Sequence, residues 1–372
     1  MDSKQLTELK PPFPWFGGKR RIADLVWSRL GDVDLYIEPF FGGGAVLLKR
    51  PDPHGIEIVN DIDGYLTNAW RAIQKDPDAV AEYVDWPVNE IDIIARHIWL
   101  VQNPPDVERL MGDPDYYDAK AAGWWIWGRC SWLGGGWCSG QGPWTSVDGR
   151  LVKLGQDLPR GAARGVNRVI PNIGNDGVLR AEYHSIKQKR TNIGDLSTSY
   201  QLSYWEDSEG QCQRSRENLR RYMRRLSDRL RLVRVYRGDW KRVLTEGVFR
   251  SSCGRPIGIF LDPPYDHKER CKDIYNWDDA TLSASVRQWC LEHGDDPRLR
   301  IALCGYEGEH EMPATWEKVA WRGNRCMPRG YPTQNSDNRL RERVWFSPHC
   351  LKPSSDAPTL FKSDDEDEQE VG

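Results

Sequence analysis

Asp34-Leu35-Tyr36-Ile37-Glu38-Pro39-Phe40-Phe41-Gly42-Gly43-Gly44-Ala45-Val46-Leu47-Leu48 reads as a strand, a glycine turn and an apolar helix, the opening of a nucleotide-binding βαβ unit. Glycines let such a turn close on a ligand and bring backbone N–H groups to the start of a helix. Glu38, Phe40, Gly42 and Gly44 are therefore candidate cofactor contacts. The spacing is not G-x-G-x-x-G and no Walker lysine follows, so a dinucleotide or a triphosphate fits poorly. A second strand, Glu57-Ile58-Val59-Asn60, ends in Asp61, where a carboxylate can accept from both hydroxyls of a ribose. The plainer role for Asp61 is to cap a helix starting near Asp63 or Gly64.

Working outward, the next informative stretch is Pro256-Ile257-Gly258-Ile259-Phe260-Leu261-Asp262-Pro263-Pro264-Tyr265-Asp266. The apolar run is a short buried strand, and two prolines must end it because they remove backbone donors and forbid helix. Open α/β sheets place ligands at this end of a strand. The exocyclic amino group of a nucleobase is a poor nucleophile, its lone pair being delocalised into the ring. The Asp262 carboxylate and the Pro263 carbonyl can each accept one amino hydrogen, drawing the nitrogen towards tetrahedral geometry for in-line attack on a methyl sulfonium. Tyr265 can stack on a base turned out of its helix. The bland reading is a Pro-Pro corner with an incidental acid and ring.

Upstream, Pro11-Pro12-Phe13-Pro14-Trp15-Phe16-Gly17-Gly18-Lys19 is extended and Pro-rich, with an aromatic pair, a Gly-Gly turn and a lysine where a helix over about 20–30 begins. Trp15 offers a ring to a sulfonium cation, and Lys19, near the positive end of the helix dipole, suits an electron-rich partner. Taken alone, this segment favours an exposed lysine and a packed tryptophan. Downstream, Leu232–Trp240 is a strand ending in Gly-Asp-Trp; Asp239 can take the amino group of a cofactor adenine, or merely cap the segment that starts at Trp240.

From about Trp86 to Gln213 the βα rhythm breaks. His97–Trp99 and Ala121–Trp127 read as helical. A Trp/Gly-rich loop follows, with Trp132, Trp137 and Trp144, and then Arg160, Arg164, Arg168, Arg180, Lys187, Lys189 and Arg190 among Gly, Asn and Pro. This is the pattern of an inserted recognition domain whose basic residues position phosphates. For Trp124, Trp125 and Trp127 a packed core is the better reading. Arg214–Arg231 is one helix with an apolar stripe, Leu219, Met223, Leu226 and Leu230, and with Arg220, Arg221, Arg224 and Arg225 on the other side, either a solvated face or a phosphate contact. Helix over 280–293, a buried strand over 299–306 and a closing antiparallel pair, Glu317–Trp321 with Arg343–Phe346, complete the pattern; Arg329–Arg341 is a polar loop suited to the DNA side.

The expected division is 11–85 and 214–350 for a split catalytic domain, 86–213 for the insertion and 351–372 for a disordered acidic tail. The net charge of −3 includes six tail acids, Asp364, Asp365, Glu366, Asp367, Glu368 and Glu370, and is +3 without them. Nine cysteines without a C-x-x-C pair or zinc spacing suggest reduced thiols and no metal. The polar N-terminus and the lack of a membrane-length apolar run point to a cytoplasmic protein with no membrane partner.

Pro-Trp-Phe-Gly-Gly-Lys, Tyr-Ile-Glu-Pro-Phe-Phe-Gly-Gly-Gly-Ala-Val, Val-Asn-Asp, Gly-Asp-Trp and Leu-Asp-Pro-Pro-Tyr occur here in the order of the Dam-like, alpha-class DNA adenine methyltransferases, and the chain resembles that family from about Pro12 to Pro348, least in the middle. The resemblance implies a Rossmann-like α/β sheet with an inserted, mainly helical and loop-rich target-recognition domain. It also implies S-adenosyl-L-methionine as methyl donor and methylation of a flipped adenine in double-stranded DNA, in a bacterial cell or phage-infected host. By position it places Trp15, Lys19, Asp61 and Asp262 at the cofactor or active site, Asp239 at the cofactor adenine, and Asp262 with Tyr265 on the flipped base. The long, Trp-rich segment between Asp61 and Asp239 departs from a compact recognition domain and leaves the DNA sequence open. Methylation of cytosine or of RNA adenine, and a catalytically silent DNA-binding relative, stand as alternatives; the oligomeric state is open, a monomer included.

Overall fold

The computed structural model describes residues 9–15, 18–131, 137–138, 144–147, 150–153, 172–173, 179–180, 210–265, 281–321 and 341–352; for the two small ribbons, Glu90 and residues 210–215 it describes the backbone alone. Phe16, Gly17, Trp132, Arg160, Arg164, Arg168, Lys187, Lys189, Arg190, Asp266, nearly all of the loop over 329–341 and the acidic tail lie outside the described residues.

Parallel pairing is imposed by βα connections, and it organises the molecule. Strands β1 (Leu35–Glu38) and β2 (Ile56–Asp61) come first, and the short ribbons β3/β4 (Trp144–Val147, Arg150–Lys153) and β5/β6 (Asn172–Ile173, Leu179–Arg180) follow. Next are β7 (Val233–Arg237), β8 (Ile257–Leu261), β9 (Leu299–Tyr306), β10 (Glu317–Ala320) and β11 (Glu342–Phe346). One seven-stranded sheet runs in the order β10-β11-β9-β8-β1-β2-β7. Its β7, β2, β1, β8 and β9 are mutually parallel, and β11 lies antiparallel between β9 and β10. The chain leaves β1 in one direction, through β2 to β7, then returns to β8 on the other side of β1. That reversal is the switch point at which open α/β sheets bind ligands, and the fold is Rossmann-like.

Side chains alternate across the sheet. Tyr36, Val59, Phe260, Val344 and Phe346 face one buried cluster; Leu35, Ile37, Ile58, Ile259, Leu303 and Trp345 face the other. The first is covered by α1 (Ala23–Leu30), α2 (Gly64–Lys75), α3 (Pro77–Val84), α4 (Glu90–Gln102), α6 (Ala119–Ser131) and α7 (Gly210–Leu230), with α5 (Val107–Gly112) at the margin. The second is covered by Trp240, Phe249 of α8 (Glu246–Phe249), α9 (Leu282–His293) and Trp316. Trp125 and Trp127 of α6 are buried in the same cluster as Tyr36 and Phe260. On α7 the stripe Leu219, Met223, Leu226 and Leu230 is buried, whereas Arg220, Arg221 and Arg224 are exposed; Arg224 grips Asp78 of α3 at 2.7 and 2.9 Å.

The helix expected after the glycine turn is absent. Residues 47–49 make a single 3₁₀ turn, Leu47–Lys49. The residue before a proline avoids helical geometry, and Arg50, preceding Pro51, is extended at φ −57°, ψ 124°. The turn's Gly42 and Gly44 N–H groups are taken by the Asp61 carboxylate and Phe41 O, and no helix dipole lies behind them.

Candidate active site

The carboxyl ends of β1 and β8 bring the two sequence motifs together. Asp262 follows β8 directly, and its Oδ1 lies 2.9 Å from Lys19 Nζ. Lys19 opens a one-turn 3₁₀ segment, Lys19–Arg21, rather than α1 itself, and its side chain is 4% exposed. Its partner is thus a carboxylate, and the exposed-lysine reading is overturned. The ammonium also lies 5.1 Å from the Tyr265 ring centroid and 5.6 Å from that of Trp321. A second carboxylate, Glu342 at the start of β11, has Oε2 3.8 Å from the same ammonium and 3.4 Å from the Tyr265 hydroxyl. Pro263 and Tyr265 are both buried, and the Tyr265 ring meets Tyr306 edge-on at 4.5 Å.

Electrostatics follow from burial. Asp262 is raised above the ordinary carboxylate range by desolvation, against the lowering influence of Lys19 and of a Tyr265 hydrogen bond. Glu342 is raised in the same way, with Lys19 opposing and Asp262 adding repulsion. Glu38, the last residue of β1, is buried and accepts from Tyr36 Oη at 2.9 Å. Desolvation raises it strongly, and the Asp262 charge adds to that.

One strand over, Asp61 holds the glycine turn. Its Oδ2 accepts from Gly42 N at 3.0 Å, and its Oδ1 accepts from Asp63 N at 3.0 Å. The cap of α2 is Asp63, which accepts from Tyr65 N at 2.8 Å, so the capping role considered for Asp61 falls to its neighbour. Burial pushes the Asp61 carboxyl up to about 6, against the backbone hydrogen bonds. Gly42 has φ +47° and Gly44 φ +67°, the region that favours glycine. Trp15 packs directly on this turn: a Cβ on Gly42 would sit 2.3 Å from the indole Nε1. The far side of Trp15 meets Trp125 at 6.2 Å, with the Arg129 guanidinium 5.0 Å from its ring.

Asn60 ties the strand ends to one another, its amide donating to Pro39 O at 3.0 Å and to Gly238 O at 2.9 Å. Gly238 N in turn donates to Asp61 O at 3.0 Å. Asp239 is exposed and caps the Trp240–Val243 turn, accepting from Lys241 N at 2.8 Å. Phe40 lies against Trp240, with ring centroids 5.9 Å apart. Lys19, Asp262 and Tyr265 are therefore in contact; Gly42 meets both Trp15 and Asp61; Phe40 after β1 and Asp239 after β7 flank Trp240.

Sequence reasoning missed Glu342, Tyr306 and Trp321. For Glu342 a signal was present: it alternates with Val344 and Phe346, both core residues, so a charge was being aimed inward. Among the described residues no group of His, Cys, Asp and Glu is arranged to hold a metal ion, and no helix is long and apolar enough to cross a membrane.

Residues 15–90 match the D12 class N6 adenine-specific DNA methyltransferase family. The Type II methyltransferase M.MjaIII of Methanocaldococcus jannaschii is 34% identical over 83 residues, covering 20% of this chain and 29% of that protein. The matched region contains Trp15, Lys19, the glycine turn and Asp61, and it agrees with the family expected from the sequence motifs.

Proposed function

We propose that the protein is a site-specific DNA methyltransferase that moves a methyl group from S-adenosyl-L-methionine to the exocyclic amino group of adenine in duplex DNA. One observation carries this reading: Lys19 holds Asp262 at the strand end where a rigid Pro-Pro corner meets the glycine turn's strand. The residues present fit a cationic nucleoside. Among the described residues Asp262 and Glu342 share one buried lysine beside Glu38, and Asp61 holds the glycine turn at the end of β2, acceptors suited to a sulfonium, ribose hydroxyls and an amino group. Trp15, Gly42, Gly44 and Asp61 would hold the nucleoside, with Phe40 and Asp239 at the adenine edge; bound there, the cofactor supplies an electrophilic methyl group.

The chain's own residues then act on the target base. The Asp262 carboxylate accepts one amino hydrogen and the Pro263 carbonyl the other, localising the nitrogen lone pair. Lys19 keeps Asp262 in one orientation, so no reorganisation is needed at the moment of attack. As the nitrogen gains a methyl group it must shed a proton, and Asp262, raised by burial, is the nearest acceptor. Tyr265 walls the pocket and stacks on the flipped base. Recognition of the DNA sequence is assigned to residues 86–213, and a restriction-modification context accords with the Type II name of the relative.

The test is direct. Purified protein is incubated with methyl-tritiated cofactor and duplex DNA, and the DNA is hydrolysed to nucleosides. Label in N6-methyladenine is expected; label in methylcytosine, label only with RNA, or no label overturns the reading.

A further inference from the structure

The carboxylate that sequence reasoning passed over stands closer to the chemistry than most of those it singled out. Glu342 is 11% exposed and lies between two groups of the proposed active site, 3.8 Å from Lys19 Nζ and 3.4 Å from Tyr265 Oη. Lys19 has three N–H donors, and among the described residues two carboxylates lie within 4 Å of it. A lysine paired to Asp262 alone would concentrate its charge on the oxygens that must accept the substrate's amino hydrogens. Sharing the ammonium weakens that competition. The same carboxylate lies 3.4 Å from the Tyr265 hydroxyl, whose single hydrogen can go to it or to Asp262.

We infer that Glu342 is a positioning residue for methyl transfer: it takes a share of the Lys19 ammonium and competes with Asp262 for the Tyr265 hydroxyl hydrogen, which leaves Asp262 available to the amino group. This rests on the methyltransferase reading above. Asp262 is faced by Lys19 from the N-terminal segment, Tyr265 from its own corner, Glu38 from β1, Cys304 from β9, Glu309 beyond it and Glu342 from β11. Removing the negative charge of Glu342 therefore makes Asp262 easier to ionise, whereas loss of a merely structural residue would not.

Glu342→Gln keeps the shape and an acceptor oxygen but loses the charge. About a tenfold fall in kcat is expected, with KM for DNA and cofactor affinity within about twofold of wild type. The acidic limb of the kcat–pH profile is expected to move to lower pH. Glu342→Asp retains the charge and should leave that limb in place while recovering part of the rate. A folded Gln protein with wild-type kcat and an unmoved limb overturns the inference, as does a fall in kcat matched by equal losses in cofactor affinity and thermal midpoint. Should the Gln protein fail to fold, the Asp protein decides: wild-type kcat in it overturns the inference, and reduced kcat with an unmoved limb supports it. Carbon NMR titration of the Asp262 carboxyl in wild type and variants needs no turnover. If wild type labels no adenine, the function is wrong, and the titration still decides whether Glu342 governs Asp262.

Discussion

Two clusters of charge lie at opposite ends of the same sheet, and they are balanced in opposite ways. At the amino end, Glu57 of β2 is gripped by two arginines. Arg229 reaches it at 2.6 and 2.8 Å and Arg50 at 3.1 Å. Arg229 Nη2 also donates to Leu47 O and Arg50 Nη2 to Val33 O, while Arg229 Nε–H is buried without a partner among the described residues. Two cations serve one carboxylate, and all three side chains are 5% exposed or less. At the carboxyl end, among the described residues, a single lysine stands between Asp262 and Glu342, and both carboxylates are raised. Overcompensated charge clamps a scaffold; undercompensated charge leaves acceptors ready for a cationic ligand or an amino group.

The contrast is breakable. The largest effect expected is at Asp262. Asp262→Ala should lower methyl transfer by about 10³-fold in single-turnover assays, with an unfolding midpoint close to wild type because Glu342 remains to hold the Lys19 ammonium. Arg229→Met should do the reverse. It opens a buried ion cluster at a cost of about 3 kcal/mol, seen in urea titration, while the rate per folded molecule stays at the wild-type value. Were Arg229→Met to abolish turnover without loss of stability, the division between clamp and site would be wrong.

A third prediction separates stability from binding at one residue. The Asp61 carboxyl is raised from 3.8 to about 6. Its contribution to folding is therefore fully present below about pH 4 and is lost as pH rises through 6. Binding has the opposite slope, since only the ionised carboxylate can accept from two ribose hydroxyls. Cofactor affinity measured by calorimetry should fall below pH 6, by roughly tenfold per unit, while the protonated side chain favours the fold. In Asp61→Asn both pH dependences should flatten. The smallest effect is expected at the exposed rim: Asp239→Ala removes a cap worth about 1 kcal/mol or less and weakens cofactor binding severalfold, leaving kcat at saturation unchanged.

Much of this architecture could be read from local pattern. β1, β8 and β9 were visible as short apolar runs stopped by glycine or proline, and the closing pair β10–β11 as alternating strands. That Lys19 and Asp262 belong to one site was implied by the family resemblance; their direct contact and the lysine's burial were not. The glycine turn was misread as a helix start because the signal of Ala45–Leu48 is helical, while the veto comes from Pro51, three residues later. The place of α6 was harder. With Trp124, Trp125, Ile126 and Trp127 in succession it has no single apolar face, and a helix apolar all round declares that it is buried without saying against what. Glu342 was obscured by its neighbours Arg341 and Arg343, which make the start of β11 look like solvent-facing sequence.

The opening segment has a consequence for how the molecule is made. Leu9 and Phe13 are buried in the main cluster, Arg20 donates to Leu9 O at 2.8 Å, and Tyr222 donates to Lys10 O from 212 residues further along. Arg20 and Trp70 reach this segment early in synthesis, but α7 comes far later. The Tyr222 contact to Lys10 is made only when α7 emerges, and Lys19 must wait longer still, for Asp262 and then Glu342. Assembly of the corner around Lys19 is thus among the last events of synthesis, and premature termination anywhere before β11 leaves it incomplete.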